Sequence, residues 1–128
     1  LDGDRVENNY SLRTPMNHVV HVAISTDILP FAPMVGLYAA VTRKGLSGRV
    51  FAEEEALTMM EAIQAYTLYG AYLSFEENTK GSIEPGKLAD LVVLDQDLLT
   101  IDPAHIMDTR VLQTWLGGKL VYEYEGDE

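Results

Sequence analysis

The run His18-Val19-Val20-His21-Val22-Ala23-Ile24-Ser25-Thr26-Asp27 is apolar and β-branched until it stops at a carboxylate, and Pro30 follows. A carboxylate there can take a proton from water or bind a metal. It can equally cap a turn or solvate a strand end. The spacing predicts a strand over 18–24, because the run is short, Val/Ile-rich and nearly continuous in apolarity. Side chains alternate along a strand, so Val19, His21, Ala23, Ser25 and Asp27 share one face, and Val20, Val22 and Ile24 the other. In α/β folds, ligands collect at the C-terminal ends of parallel strands, which is where Asp27 falls. Both readings of Asp27 stay open on these residues.

No second group in the sequence completes a site with Asp27. His21 shares its face but lies six residues away, roughly 20 Å at strand rise. Ligand bonds are about 2 Å, so the two cannot hold one metal. His18 points to the opposite face and His105 is distant in sequence; each reads as structural or solvent-facing. The chain has no cysteine and no His-x-His or His-Glu-x-x-His pattern. Ser25 lacks a nucleophile elbow. The glycines form no dinucleotide or phosphate-binding fingerprint, which argues against an anion site at the helix after Pro33. Glu53, Glu54 and Glu55 read as a solvated run, Met59 and Met60 as core, and Tyr66, Tyr69 and Tyr72 as packing residues at helical spacing.

The elements that would position Asp27 are readable in outline. Residues 1–17 are polar and irregular, with a turn at Thr14-Pro15. After a loop over 25–33, Pro33 suits a first helical turn, and Met34, Leu37, Tyr38 and Val41 recur at helical spacing. Arg43 and Lys44 suit that helix's end, and Gly45 the left-handed position after it. Thr58 and Glu61 form a capping box that opens a second helix, with Met59, Ile63, Tyr66 and Leu73 as its stripe and Gly70 as its end or kink. Pro85-Gly86 predicts a type II turn before a strand at about 89–94. Asp102-Pro103 reads as a cap and first residue of a short helical turn. Gly117-Gly118 reads as a two-residue hairpin loop. The order is β, α, α, then β, β, β, with a boundary near residue 80 that divides the chain into 1–80 and 81–128.

Composition narrows the classes. At 128 residues and 47% hydrophobic, the chain can form a core. Its net charge of -11 argues against nucleic acid and anionic membrane partners. No apolar run reaches the ~18 residues that span a membrane. A cytoplasmic location is the default expectation. The first residue is Leu1 rather than Met, so the chain reads as a piece of a longer protein.

Several segments together resemble a known family. "AISTDILP", "GLYAAVTRKG", "ALTMMEAIQAYTLYGAY", "GSIEPGKLADLVVLDQDLLTIDP" and "VLQTWLGGKLVYE" are similar, in order, to the C-terminal portion of the amidohydrolase superfamily. The narrower likeness is to amidohydrolase family 3, the N-substituted formamide deformylase-like hydrolases. The resemblance implies an α/β fold: the last βα unit of a TIM-like (β/α)8 barrel within 1–80, and strands of a flanking small β-sandwich within 81–128. It implies a metal-dependent hydrolase of a non-peptide C–N bond in a small amide-type substrate, with zinc or another divalent metal. Asp27 would be both catalytic group and metal ligand. The family's histidine ligands come from earlier strands outside this chain. The isolated chain is therefore expected to be inactive and metal-free, and to associate with the missing barrel portion or with a copy of itself. The alternative is a non-catalytic, self-associating structural module.

Overall fold

The computed structural model describes residues 9–27, 32–45 and 47–126. Among the described residues, four α-helices, α1 (Arg13–Asn17), α2 (Pro33–Thr42), α3 (Met59–Tyr66) and α4 (Leu68–Leu73), precede three strands, β1 (Leu91–Leu94), β2 (Val111–Leu116) and β3 (Lys119–Glu123). Short 3-10 helices span Glu53–Glu55 and Pro103–Asp108.

The helices pack through small residues. Ala40 of α2 and Ala62 and Ala65 of α3 are buried, and with Leu37 and Leu57 they let the two helices approach closely. Leu98 and Ile106 complete this cluster, and Ile106 is the largest side chain wholly removed from water. The 3-10 helix carrying Ile106 packs against α2. Asp102 starts that helix by accepting a hydrogen bond from the Ala104 N–H at 2.9 Å, with Pro103 in the first turn, as the sequence predicts.

The strands form one antiparallel sheet in the order β1-β2-β3. Leu91 faces Trp115, and Trp115 faces Leu120. Gly117 and Gly118, at φ 56° and 79°, make the β2–β3 loop, where both central residues need positive φ. Asp90 accepts the Gly117 N–H at 2.6 Å, and Ala89 the Gly118 N–H at 3.0 Å, which ties the loop to the start of β1. The Glu84–Lys87 turn closes at 3.1 Å with Gly86 at φ 94°, as a type II turn requires.

Four local expectations change. First, residues 18–24 form no strand. Val19 adopts φ 61°, and residues 20–27 join no sheet among the described residues. A strand needs a ladder partner for its backbone groups, and here no neighbour supplies one. Second, residues 13–17 are helical rather than a lone turn. Third, Arg43, not Gly45, takes the left-handed position after α2, at φ 55°. Its guanidinium donates to the carbonyls of Asn9, Tyr10, Phe51 and Ala52, at 3.1–3.3 Å, which offsets the strained backbone. Fourth, the second helix breaks at Thr67 (φ -123°, ψ -83°), while Gly70 lies inside α4. The Thr67 hydroxyl donates to the Ile63 carbonyl at 2.8 Å, a local bond that competes with the helix ladder.

The acidic run is not uniformly solvated either. Glu55 is only 5% exposed. It accepts hydrogen bonds from the hydroxyl and N–H of Thr14. Burial pushes its carboxyl up, but those bonds and the N–H groups of Leu12 and Arg13 outweigh it and hold the carboxyl below its ordinary range. Beside it, Arg13 donates to both Glu61 oxygens at 2.5 and 2.6 Å and to the Ala56 carbonyl. Glu61 also closes the α3 capping box with Thr58.

The Arg13 hydrogen bonds, aided by Thr58, lower the Glu61 carboxyl from 4.5 to about 2. A depressed carboxyl stabilises the fold above its unfolded value, and that contribution is lost as pH falls through the folded value. Stability, read by urea titration, is therefore expected to decline between about pH 4.5 and 2. Glu61→Ala is expected to cost about 2 kcal/mol at pH 7, from a lost cap and lost charge-assisted bonds. Glu61→Gln should cost less, because glutamine serves a capping box.

Candidate functional site

Asp27 is exposed. The segment before it is fastened to α3 by one backbone bond, Ile24 N–H to the Ala65 carbonyl at 3.0 Å. Ile24, Ser25, Thr26 and Asp27 form one wall of an open cleft of about 590 Å³. Val35, Gly36 and Ala39 of α2, with Arg43 just after it, form the opposite wall, and Tyr66 of α3 closes it. A carboxylate in such a cleft can accept a proton.

Ser25 and Thr26 reach the same cleft. The histidines lie apart from this wall. His21 stacks on Tyr69, with ring centroids 4.6 Å apart, and meets Tyr72 edge-on at 4.4 Å. His105 Nδ1 pairs with Asp108 at 3.1 Å. His18 is exposed in the turn after α1. Among the described residues, no three His, Cys, Asp or Glu side chains come together to hold a metal. A catalytic zinc needs about three protein ligands, and Asp27 alone does not make such a site.

Tyr66 was legible only as a packing residue, and its setting is more specific. Its hydroxyl is buried with no hydrogen-bond partner among the described residues. Burial pushes its pKa up. A Cβ on Gly36 would lie 1.7 Å from that hydroxyl, so glycine is what admits the ring.

Comparison with known proteins bears on this site. The amidohydrolase family model matches residues 1–122. N-substituted formamide deformylase of Arthrobacter pascens is 32% identical over 119 residues, covering 91% of this chain and 22% of that protein. The 5-methylthioadenosine/S-adenosylhomocysteine deaminase of Teredinibacter turnerae is 29% identical over 102 residues, 79% of this chain and 23% of that protein. The chain thus spans less than a quarter of the length of these relatives. The crystal structure of an amidohydrolase from Thermotoga maritima MSB8 superposes with a TM-score of 0.61 at 22% identity, over 85% of this chain and 24% of that one. That likeness shows the shared fold.

The Tyr66–Gly36 contact predicts two opposite effects in denaturant titrations. Gly36→Ala forces the Tyr66 ring aside and is expected to destabilise by about 1–3 kcal/mol. Tyr66→Phe removes an unpaired buried hydroxyl and is expected to leave stability unchanged or raise it by up to about 1 kcal/mol.

Proposed function

The chain belongs to the amidohydrolase family, and from that premise we propose that it is the C-terminal part of a metal-dependent hydrolase that cleaves a non-peptide C–N bond in a small amide-type substrate. The observation that carries this reading is the family match over nearly the whole chain, with Asp27 exposed on a cleft wall. The names of the relatives, a formamide deformylase and a deaminase, support a C–N bond as the target. In the intact protein, residues 18–24 would supply the last strand of a TIM-like barrel, with Asp27 at its end, once neighbouring strands give it a ladder. Residues 81–128 supply strands of a flanking β-sandwich.

In this reading the Asp27 carboxylate accepts a proton from the attacking water and passes it to the leaving nitrogen. Zinc or another divalent metal belongs to the intact protein, where Asp27 would be one ligand and other strands would bring the rest. A cytoplasmic setting belongs to the same proposal. Among the described residues, no helix is long and apolar enough to cross a membrane.

The surface supports association with the rest of such a protein, or with a second copy. Met60, Leu116 and Val92 remain exposed around a groove of about 830 Å³ between α3, α4 and the sheet.

The test uses the full-length protein that carries this chain, with N-substituted formamides among the substrates. Hydrolysis is expected, and Asp27→Asn should lower kcat about 10²–10⁴-fold while the fold is retained. Full activity in Asp27→Asn removes Asp27 from the mechanism. A full-length protein that cleaves no C–N bond removes the function and favours the structural-module reading. Residues 1–128 alone should neither retain stoichiometric zinc nor hydrolyse these substrates, and either result would count against the proposal.

A further inference from the structure

We infer that His21, gripped by Tyr69 and Tyr72, is a positioning residue for Asp27. The inference rests on the reading of Asp27 as the catalytic carboxylate. His21 and Asp27 belong to one segment, which the Val20 N–H bond to the Pro15 carbonyl ties to α1 and the Ile24 side chain packs against the core; two further fastenings hold it to α3 and α4. One is the Ile24 N–H bond to the Ala65 carbonyl. The other is the ring clasp: His21 lies over Tyr69 at an interplanar angle of 11° and meets Tyr72 at 89°.

Stacked and edge-on contacts are the two geometries that aromatic rings favour, so the pair fixes both the position and the tilt of the imidazole. Both tyrosines lie on α4, three residues apart, and therefore on one face. The break at Thr67 places both fastenings at one junction. The Ala65 carbonyl lies just before it, in the last turn of α3, and the two tyrosines lie just after it. With its ends at α1 and near α2, the Asp27 segment has its middle set by this junction. A histidine that joins no metal-ligating group among the described residues thus acts through packing, six residues in sequence from the chemistry.

The experiment uses the full-length protein and reads two quantities together: hydrogen exchange at the Ile24 amide, and kcat against KM. His21→Ala is expected to speed exchange at Ile24 about tenfold. It should lower kcat about tenfold with KM within about twofold, because misplacement of Asp27 affects the chemical step. His21→Phe should restore both, since a phenyl ring can stack on Tyr69. Tyr69→Leu, which removes the stack from the other side, should reproduce the paired loss and serves if His21→Ala does not fold. Unchanged Ile24 exchange in His21→Ala or Tyr69→Leu overturns the proposal, and so does faster exchange with kcat intact. A wild-type protein without hydrolase activity sinks the catalytic reading instead, and the exchange comparison still decides whether the clasp holds the segment.

Discussion

The bidentate bond between Arg13 and Glu61 is the constraint on which the rest of the helical part depends. Glu61 serves two masters: it closes the capping box that starts α3, and it anchors α1. Arg13 is equally committed, since its remaining donors hold the Ala56 carbonyl in the turn that leads into α3. Next to them Thr14 binds the buried Glu55. The result is a polar seam in which every charge is paired or hydrogen-bonded, the condition under which partly buried charges are tolerated. Because α1 opens directly into the segment that carries Asp27, this seam sets where that segment begins.

The interruption at Thr67 sets where it runs. An unbroken helix would use the Ala65 carbonyl internally and would carry Tyr69 and Tyr72 onward along one axis. The break leaves that carbonyl to accept the Ile24 N–H and brings both rings against His21. Buried alanines on α2 and α3 make the same geometry possible from the other side, since larger side chains would hold the helices apart. Ile106 fills the space that those small residues leave. The cleft wall that carries Asp27 therefore rests on a helix break, a set of alanines and a residue from far along the chain.

What was legible in the sequence was what neighbours in sequence decide. The Thr58–Glu61 capping box, the Asp102-Pro103 start, the Pro85-Gly86 turn and the Gly117-Gly118 loop each depend on residues within a few positions of one another, and each forms. Glu55, Arg43 and Val19 depend on distant groups. Glu55 looks like its two exposed neighbours until Thr14 arrives from 41 residues away. Arg43 can occupy a position suited to glycine only because four carbonyls hold its guanidinium. The order of residues 18–27 marked Asp27 as the end of an apolar run, but the alternation used to assign its face needed a ladder that these residues do not form.

That missing ladder bears on how the carboxylate could be held still. Hydrogen-bonded strands fix a side chain at their ends through many backbone bonds, which is why sites on regular elements are more precise than sites on loops. Between Val20 and Asp27, the described backbone bonds to the helices are those of Val20 and Ile24. If neighbouring strands pair with this segment, its backbone groups gain partners on its flanks, while the His21 contact acts through a side chain and can persist alongside them. Ladder and clasp would then restrain different motions: the ladder the path of the strand, the clasp its rotation and height over α4. A carboxylate that must reach a water and then a leaving nitrogen needs both restraints, because a shift of about 1 Å in a reacting group can cost 10²-fold in rate.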